Sequence, residues 1–337
     1  MAPNIFDVAR KAGVSYVTVS KVLNNNPSVR PQNRDKVLKA MAELDYSPNM
    51  SARGLALGKT KQIGLLVPGL FRFYHTEILA GIEGEASENG YSLSFIATEQ
   101  LEVEKATAMA KEGRVDGFIT VTPTREEELF FELKRLNLPV VFIECNRELD
   151  APRIIVEDYK AAYKATSYLH DLGHRKVGFI AGESKRRSSQ QRLAGYRQAC
   201  LDRGLENEIH VFQGSYVEEA GYNALNAWLQ EGYRPTAVLA ANDLVAAGLM
   251  IAARRQGIMV PDDLSVIGFD DTIAQYCNPP LTTVRQPMRE IGKASVTMLI
   301  SLLRGEPLNQ QVLVFESELI IRESTAINKS TDSEQSH

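Results

Sequence analysis

Two sets of side chains in this sequence have the types and spacing to do chemistry. The first is Ser15, Tyr16, Val17, Thr18 and Lys21. Hydroxyls, a phenol, a branched methyl pair and an ammonium one helical turn further on hydrogen-bond to phosphate or to guanine O6 and N7, and touch a thymine methyl. The second set is scattered: Phe73, Tyr74, Glu144, Arg192, Tyr216, Asn242 and Asp270. Each ends or closely follows a short apolar run. Carboxylates, a guanidinium, an amide and aromatic faces converging on one cleft suit a polyhydroxylated ligand, through forked hydrogen bonds to hydroxyl pairs and rings against C–H faces. Asp243 and Asp271 stand beside members of this set, and either face the ligand or only cap the following helices.

The elements that must position the first set are short helices. Phe6, Val8, Ala9 and Ala12 recur at helical spacing, Gly13 interrupts, and Val14, Val17, Val19, Val22 and Leu23 resume after a new cap at Ser15. Two short helices joined by a glycine-containing turn form a helix-turn-helix, whose second helix enters the DNA major groove by its amino end. A third helix opens at Pro31 and turns Val37, Leu38, Met41 and Leu44 towards the other two. Asn49 to Leu57 favours helix but is shorter than the roughly 12 residues an isolated helix needs, so it is expected to be disordered alone and helical when paired. Leu55 is its apolar wedge for a base step in the minor groove.

The second set requires a different framework. Residues 63–67, 92–97, 117–121, 140–144, 176–181, 210–213, 237–241 and 265–269 are short runs rich in β-branched residues, separated by amphipathic stretches of crossover length. This β-α-β alternation predicts an α/β core of two doubly wound parallel-sheet subdomains behind the small all-α head. Ligands bind such sheets outside the carboxyl ends of the strands, which is where the second set stands. Residues 244–253, LVAAGLMIAA, are apolar nearly all round, and are expected to bury one face on the sheet and another on a second subunit; Ile78, Leu79 and Ile82 offer a second such face.

Composition excludes several classes. With 44% hydrophobic and 24% charged residues the 337-residue chain reads as soluble and globular, and no apolar run approaches the roughly 18 residues of a membrane span. Neither a membrane nor a secretory signal is expected. Cys145, Cys200 and Cys277 lack metal-ligand spacing and read as reduced core thiols of a cytoplasmic protein. Residues 1–60 hold nine Lys or Arg against four acids, +5 in a chain of net charge -4, so the head is basic and the body acidic, as local phosphate binding requires. Gly54, Gly58, Lys59 and Thr60 imitate a phosphate loop but are one residue short and precede a strand. No cofactor fingerprint, nucleophile elbow or zinc-helix motif occurs, and His75, His170, His174 and His210 are scattered, so no catalytic residue, metal or cofactor is expected.

DVARKAGVSYVTVSKVLN, then RDKVLKAMAELDYSPN, then ARGLALGKTKQIGLLVP resemble the head and hinge of the LacI/GalR family of bacterial transcription regulators. The body resembles that family's effector core through QRLAGYRQA, RPTAVLAANDLVAAGLM, VPDDLSVIGFDD and PPLTTVRQP. Arg30 and Asn33 depart from the usual Ser and Thr near the third helix's start. The resemblance implies a head of residues 1–46, a hinge of 47–60, and a core of 61–325. Within the core it implies an N-subdomain of 61–157 and 289–318, a C-subdomain of 158–288 and 319–325, and then a disordered tail of 326–337. It implies DNA contacts from Ser15, Tyr16, Val17, Thr18, Lys21 and Asn24 and from Asn49, Arg53, Leu55 and Ala56. Arg192, Asn242 and Asp270 then contact an effector whose choice Phe73, Tyr74, Glu144 and Tyr216 shape. The partners implied are palindromic operator DNA, a sugar-type effector and a second copy of the chain. A sugar-transport protein or a sugar or nucleotide enzyme on the same scaffold is the rival, and the basic head argues against both.

Overall fold

Asn4 begins the first helix, Ile5–Ala12: its side-chain oxygen accepts from the backbone of Phe6 and Asp7, while the Asp7 carboxylate accepts from Asn4 N at 3.0 Å. Gly13 ends it at φ 64°, a left-handed conformation that glycine adopts without a Cβ clash. Ser15 Oγ then accepts from Thr18 N at 3.2 Å and starts the second helix, Tyr16–Leu23. The third, Pro31–Glu43, has Pro at its first position, and its N-cap Arg30 makes no capping bond. Val8, Ala9, Ala12, Val19, Val22, Val37 and Ala40 form a small separate core. One sequence expectation changes here: Leu38 is exposed, and Ala40 takes the buried place on the third helix.

The structure is a computed structural model that describes residues 3–23, 26–46, 59–68, 73–98 and 102–329. The chain divides into two compact units, Met1–Lys61 and Gln62–His337. In the second, strands β1 (Gln62–Val67), β2 (Ser92–Ala97), β3 (Gly117–Val121), β4 (Val140–Ile143), β5 (Arg153–Val156) and β11 (Val312–Phe315) form one sheet in the order β11-β5-β4-β3-β1-β2, parallel throughout. Strands β6 (Val177–Ala181), β7 (His210–Gln213), β8 (Ala237–Ala240), β9 (Ser265–Asp270), β10 (Thr282–Arg285) and β12 (Glu318–Ile320) form the other, in the order β12-β10-β9-β8-β6-β7. Only β12 is antiparallel, against β10. The eight apolar runs read from the sequence are all strands. The four it missed, β5, β10, β11 and β12, lie where the chain passes between the sheets or returns to their edges.

Helices cover both faces of each sheet. Phe73–Glu88 packs beside Met288–Arg304, so Ile78 and Ile82 are buried inside the first lobe and are not a subunit contact. Glu218–Gln230 and Asp243–Arg255 cross closely in the second lobe; a Cβ on Gly248 would stand 2.0 Å from the Glu218 carbonyl oxygen, which only glycine permits. The three cysteines are unpaired, and burial pushes each thiol up to about 11. Residues 326–329, expected to belong to a disordered tail, are held against the second lobe. Ala326 O accepts from His174 Nε2 at 3.0 Å, Asn328 N donates to Leu172 O at 2.9 Å, and Lys329 pairs with Asp262 at 2.8 Å.

Candidate functional site

The first candidate surface lies on the head. Burial of Val19 and Val22 turns the opposite side of the second helix outward, leaving Tyr16 54% and Val17 44% exposed, with Lys21 exposed one turn on. Ser15 and Thr18 are half committed to structure, since their hydroxyls stand 2.9 Å apart at the cap. Exposed Phe6 lies with its ring centroid 5.6 Å from that of Tyr16 and packs beside it. Asn24, Asn49, Arg53, Leu55 and Ala56 lie outside the described residues.

The second site is a cavity of about 460 Å³ between the two lobes of the core. It is organised around Arg192, 4% exposed, on the helix Arg187–Leu201. Its Nε donates to Asp158 at 2.7 Å, Nη1 donates to the Ala241 carbonyl at 2.5 Å, and Nη2 stands 3.7 Å from Asp270. The guanidinium lies 3.6 Å from the centroid of the Phe269 ring. Burial works against its charge, but Asp158 and Asp270 more than offset this and hold its pKa above the ordinary value. Asp270, the last residue of β9, accepts from Gln286 Nε2 at 2.6 Å. Burial, opposed by Arg192, pushes Asp270 up to about 7. Asn242 caps Asp243–Arg255 through Val245 N and donates to the Tyr216 carbonyl at 3.2 Å.

Glu144, just past β4, accepts from Val156 N at 2.8 Å; burial first and the nearby Asp158 carboxylate second push it up to about 8. The shift favours the protonated carboxyl, which can donate to a ligand. Thr122, Glu144 and Asp270 all line the cavity with positive φ, at 46°, 53° and 98°. Non-glycine residues in that region carry strain of order 1–3 kcal/mol each, which the ends of β3, β4 and β9 impose.

The structure thus brings Glu144, Arg192, Tyr216, Asn242 and Asp270 to one cavity. Phe73 and Tyr74 open a helix, but their side chains lie outside the described part. Asp243 and Asp271 neither cap a helix nor line the cavity. Asp243 is fully buried and accepts from Thr283 Oγ1 at 2.6 Å and Thr272 N at 2.7 Å, while Asp271 pairs with Arg285 and Arg322, each at 2.7 Å. The sequence reading missed Thr122, Asn146, Arg186, Arg187, Ser188 and Thr272. Several bind the lobes together: Arg186 Nη1 donates to Thr122 O at 3.0 Å, and Arg187 N donates to Asn146 Oδ1 at 3.1 Å. Extending the strand-end rule a few residues past β4 and β6 would have found four of them. It also missed Leu244, Ala247, Gly248 and Ile251, which line the cavity from LVAAGLMIAA; Met250 and Ile251 of the same stretch also line an exposed groove. Among the described residues no cluster of His, Cys, Asp and Glu could hold a metal ion, and no helix is long and apolar enough to cross a membrane.

Residues 4–49 match the model of the bacterial regulatory proteins, lacI family, and residues 166–325 a periplasmic binding protein-like domain. The ribose operon repressor of Haemophilus influenzae is 36% identical over 94% of this chain and 97% of its own. The chain belongs to the LacI family. It is a DNA-binding transcription regulator and not an enzyme. Catabolite control protein A of Priestia megaterium is 32% identical over 96% of this chain and all of its own. The lac repressor dimer, solved bound to operator and an anti-inducer, superposes with a TM-score of 0.87 at 31% identity, covering 97% of this chain and all of that one.

Proposed function

We propose that the chain is a homodimeric repressor of carbohydrate genes whose operator affinity is set by a sugar-type effector in the interlobe cavity. The observation that carries this reading is the cavity's set of directional groups. A two-headed guanidinium, a carboxyl group on each lobe and a fixed amide match vicinal hydroxyls better than an apolar slot matches a flat base. Two relatives support it: one is named a ribose operon repressor, and a 29% identical regulator was solved with cellobiose at a TM-score of 0.71. A second copy is supported by a groove that includes Met250, Ile251, Ile258, Met259, Tyr276 and Pro279. Ile251, Met259 and Tyr276 there are 53%, 59% and 78% exposed. A two-fold pair of weakly binding heads then matches a palindrome.

The mechanism is a linked equilibrium. A ligand that contacts Glu144 on one lobe and Arg192 and Asp270 on the other favours one interlobe angle, and the paired segments 47–60 transmit that angle to the heads. A tens-fold difference in effector affinity between the two states corresponds to about 2 kcal/mol of coupling. The test is DNA binding by the full-length protein to fragments of its own upstream region, with and without a sugar panel. A saturable complex with a palindrome whose affinity shifts at least fivefold with one sugar supports the reading. Failure of a folded dimer to bind any palindrome at low salt overturns it.

A further inference from the structure

Besides Arg192, the cavity lining holds two more guanidinium groups, and they differ in one respect. Arg186 is satisfied by the Thr122 carbonyl at 3.0 Å and by Glu183 at 3.4 Å. Arg187 is not: its Nη1 is sealed from solvent without an acceptor, and no ion pair of the described residues includes its side chain. A charged N–H without a partner is costly to bury, and Arg187, half-buried, lines the cavity, where solvent or a ligand can supply the acceptor. Arg187 also opens the helix Arg187–Leu201, whose first turn has no acidic residue and whose N-cap Arg186 makes no capping bond, although Arg187 N itself is taken by Asn146 Oδ1. The backbone N–H groups of that turn therefore reinforce the same positive potential.

The acids of the lining do not cancel this charge. Asp270 faces Arg192; Glu144 makes no ion pair among the described residues, and its burial raises its pKa although Arg187 and Arg192 oppose this; Glu218 stands on the exposed rim. Ser188, whose hydroxyl is 2.9 Å from that of Tyr216, supplies a neutral donor beside Arg187.

We propose that the effector is a polyhydroxylated molecule with an anionic group, a sugar phosphate or a sugar acid, whose anion sits on Arg187 while Arg192, Asn242 and Asp270 take its hydroxyls. This narrows the sugar-type reading above and rests on it. An anion beside Glu144 is compatible with the carboxyl carrying its proton, which then donates to the ligand.

The experiment is calorimetric titration of full-length dimer with pentoses and hexoses, their monophosphates, and their aldonic and uronic acids, with inorganic phosphate as control. At least one anionic member is expected to bind tenfold or more tightly than its neutral parent, and the phosphate and carboxylate arms identify which anion is used. Arg187→Gln is expected to remove that tenfold preference, read as the ratio of anionic to neutral affinity in the same variant, and Arg187→Lys restores part of it. In wild-type protein, raising salt from 0.05 to 0.3 M is expected to weaken the anion several-fold and the neutral sugar little, which decides the matter even if Arg187→Gln fails to fold. Neutral sugars that bind as tightly as every anionic derivative overturn this inference alone. Failure of all sugars to bind a protein that still binds DNA overturns it together with the sugar-type reading.

Discussion

The head and the core place their functional side chains in opposite environments. On the head, Tyr16, Val17 and Lys21 stand in solvent on a helix whose other face is a core of seven small and branched residues. In the core, Arg192, Glu144 and Asp270 are buried, at 4%, 9% and 7% exposure, and each is held by a partner from a distant element. Exposed groups act by contact and change little when the fold forms. Buried charged groups act through desolvation, so their protonation, strain and pairing belong to the fold as much as to the ligand. The difference suits the two tasks: base edges are read by side chains free to reach them, whereas a small molecule is recognised by groups already in place.

The largest effect that tests this contrast is Arg192→Met. It leaves Asp158 and Asp270 buried without their cation, and the core is expected to lose about 3–5 kcal/mol while the head's own unfolding stays unchanged. Denaturant unfolding followed by Trp228, the core's single tryptophan, against head-specific amide exchange checks it; equal losses in both units would break the contrast.

A proton comes next. Glu144 and Asp270 are raised in the folded chain to about 8 and about 7 from 4.5 and 3.8, so folding takes up protons between these limits. The stability they contribute is fully present below pH 4 and is lost as pH rises towards 8. A fully linked proton gives a slope of about 1.4 kcal/mol per pH unit, and Glu144→Gln is expected to flatten the decline between pH 5 and 8. A pH series of unfolding midpoints measures it; an unaltered slope in the variant would show that Glu144 is already ionised.

The smallest effect belongs to the head. Ser15→Ala removes the cap of the reading helix and is expected to cost about 1 kcal/mol of head stability, with no change in effector affinity of the core. Thermal unfolding and titration of the same preparation report the two quantities separately.

Periodicity made much of this legible. The capped helices of the head and eight strands follow from repeats of 3.6 and 2 residues and from β-branched runs, because those patterns depend only on neighbours in the chain. The strand-end rule found Glu144, Arg192, Tyr216, Asn242 and Asp270 because parallel sheets open their ligand crevice at one end. It did not separate Asp270 from Asp271 or Asn242 from Asp243. Adjacent residues on a strand end point to opposite sides, and which side holds the cavity depends on the other lobe. Strands β10, β11 and β12 escaped for a related reason. TTVR, VLVF and ELI form only because edges of sheets built earlier in the chain are waiting for them.

The sequence by itself determined the two-part organisation, the second head helix with Tyr16, Val17 and Lys21 exposed on it, and the kind of side-chain chemistry at the strand ends. These depend on local spacing, capping and composition. Only the tertiary structure decided that LVAAGLMIAA lines a cavity, that Ile78 and Ile82 are internal, and that Asp243 and Asp271 are clamps. It also decided that, of three arginines in the cleft, Arg187 alone is left without an ion-pair partner among the described residues. Pairing and burial of charge depend on groups far apart in the chain, and their free energies come from the dielectric surroundings that the folded lobes create together.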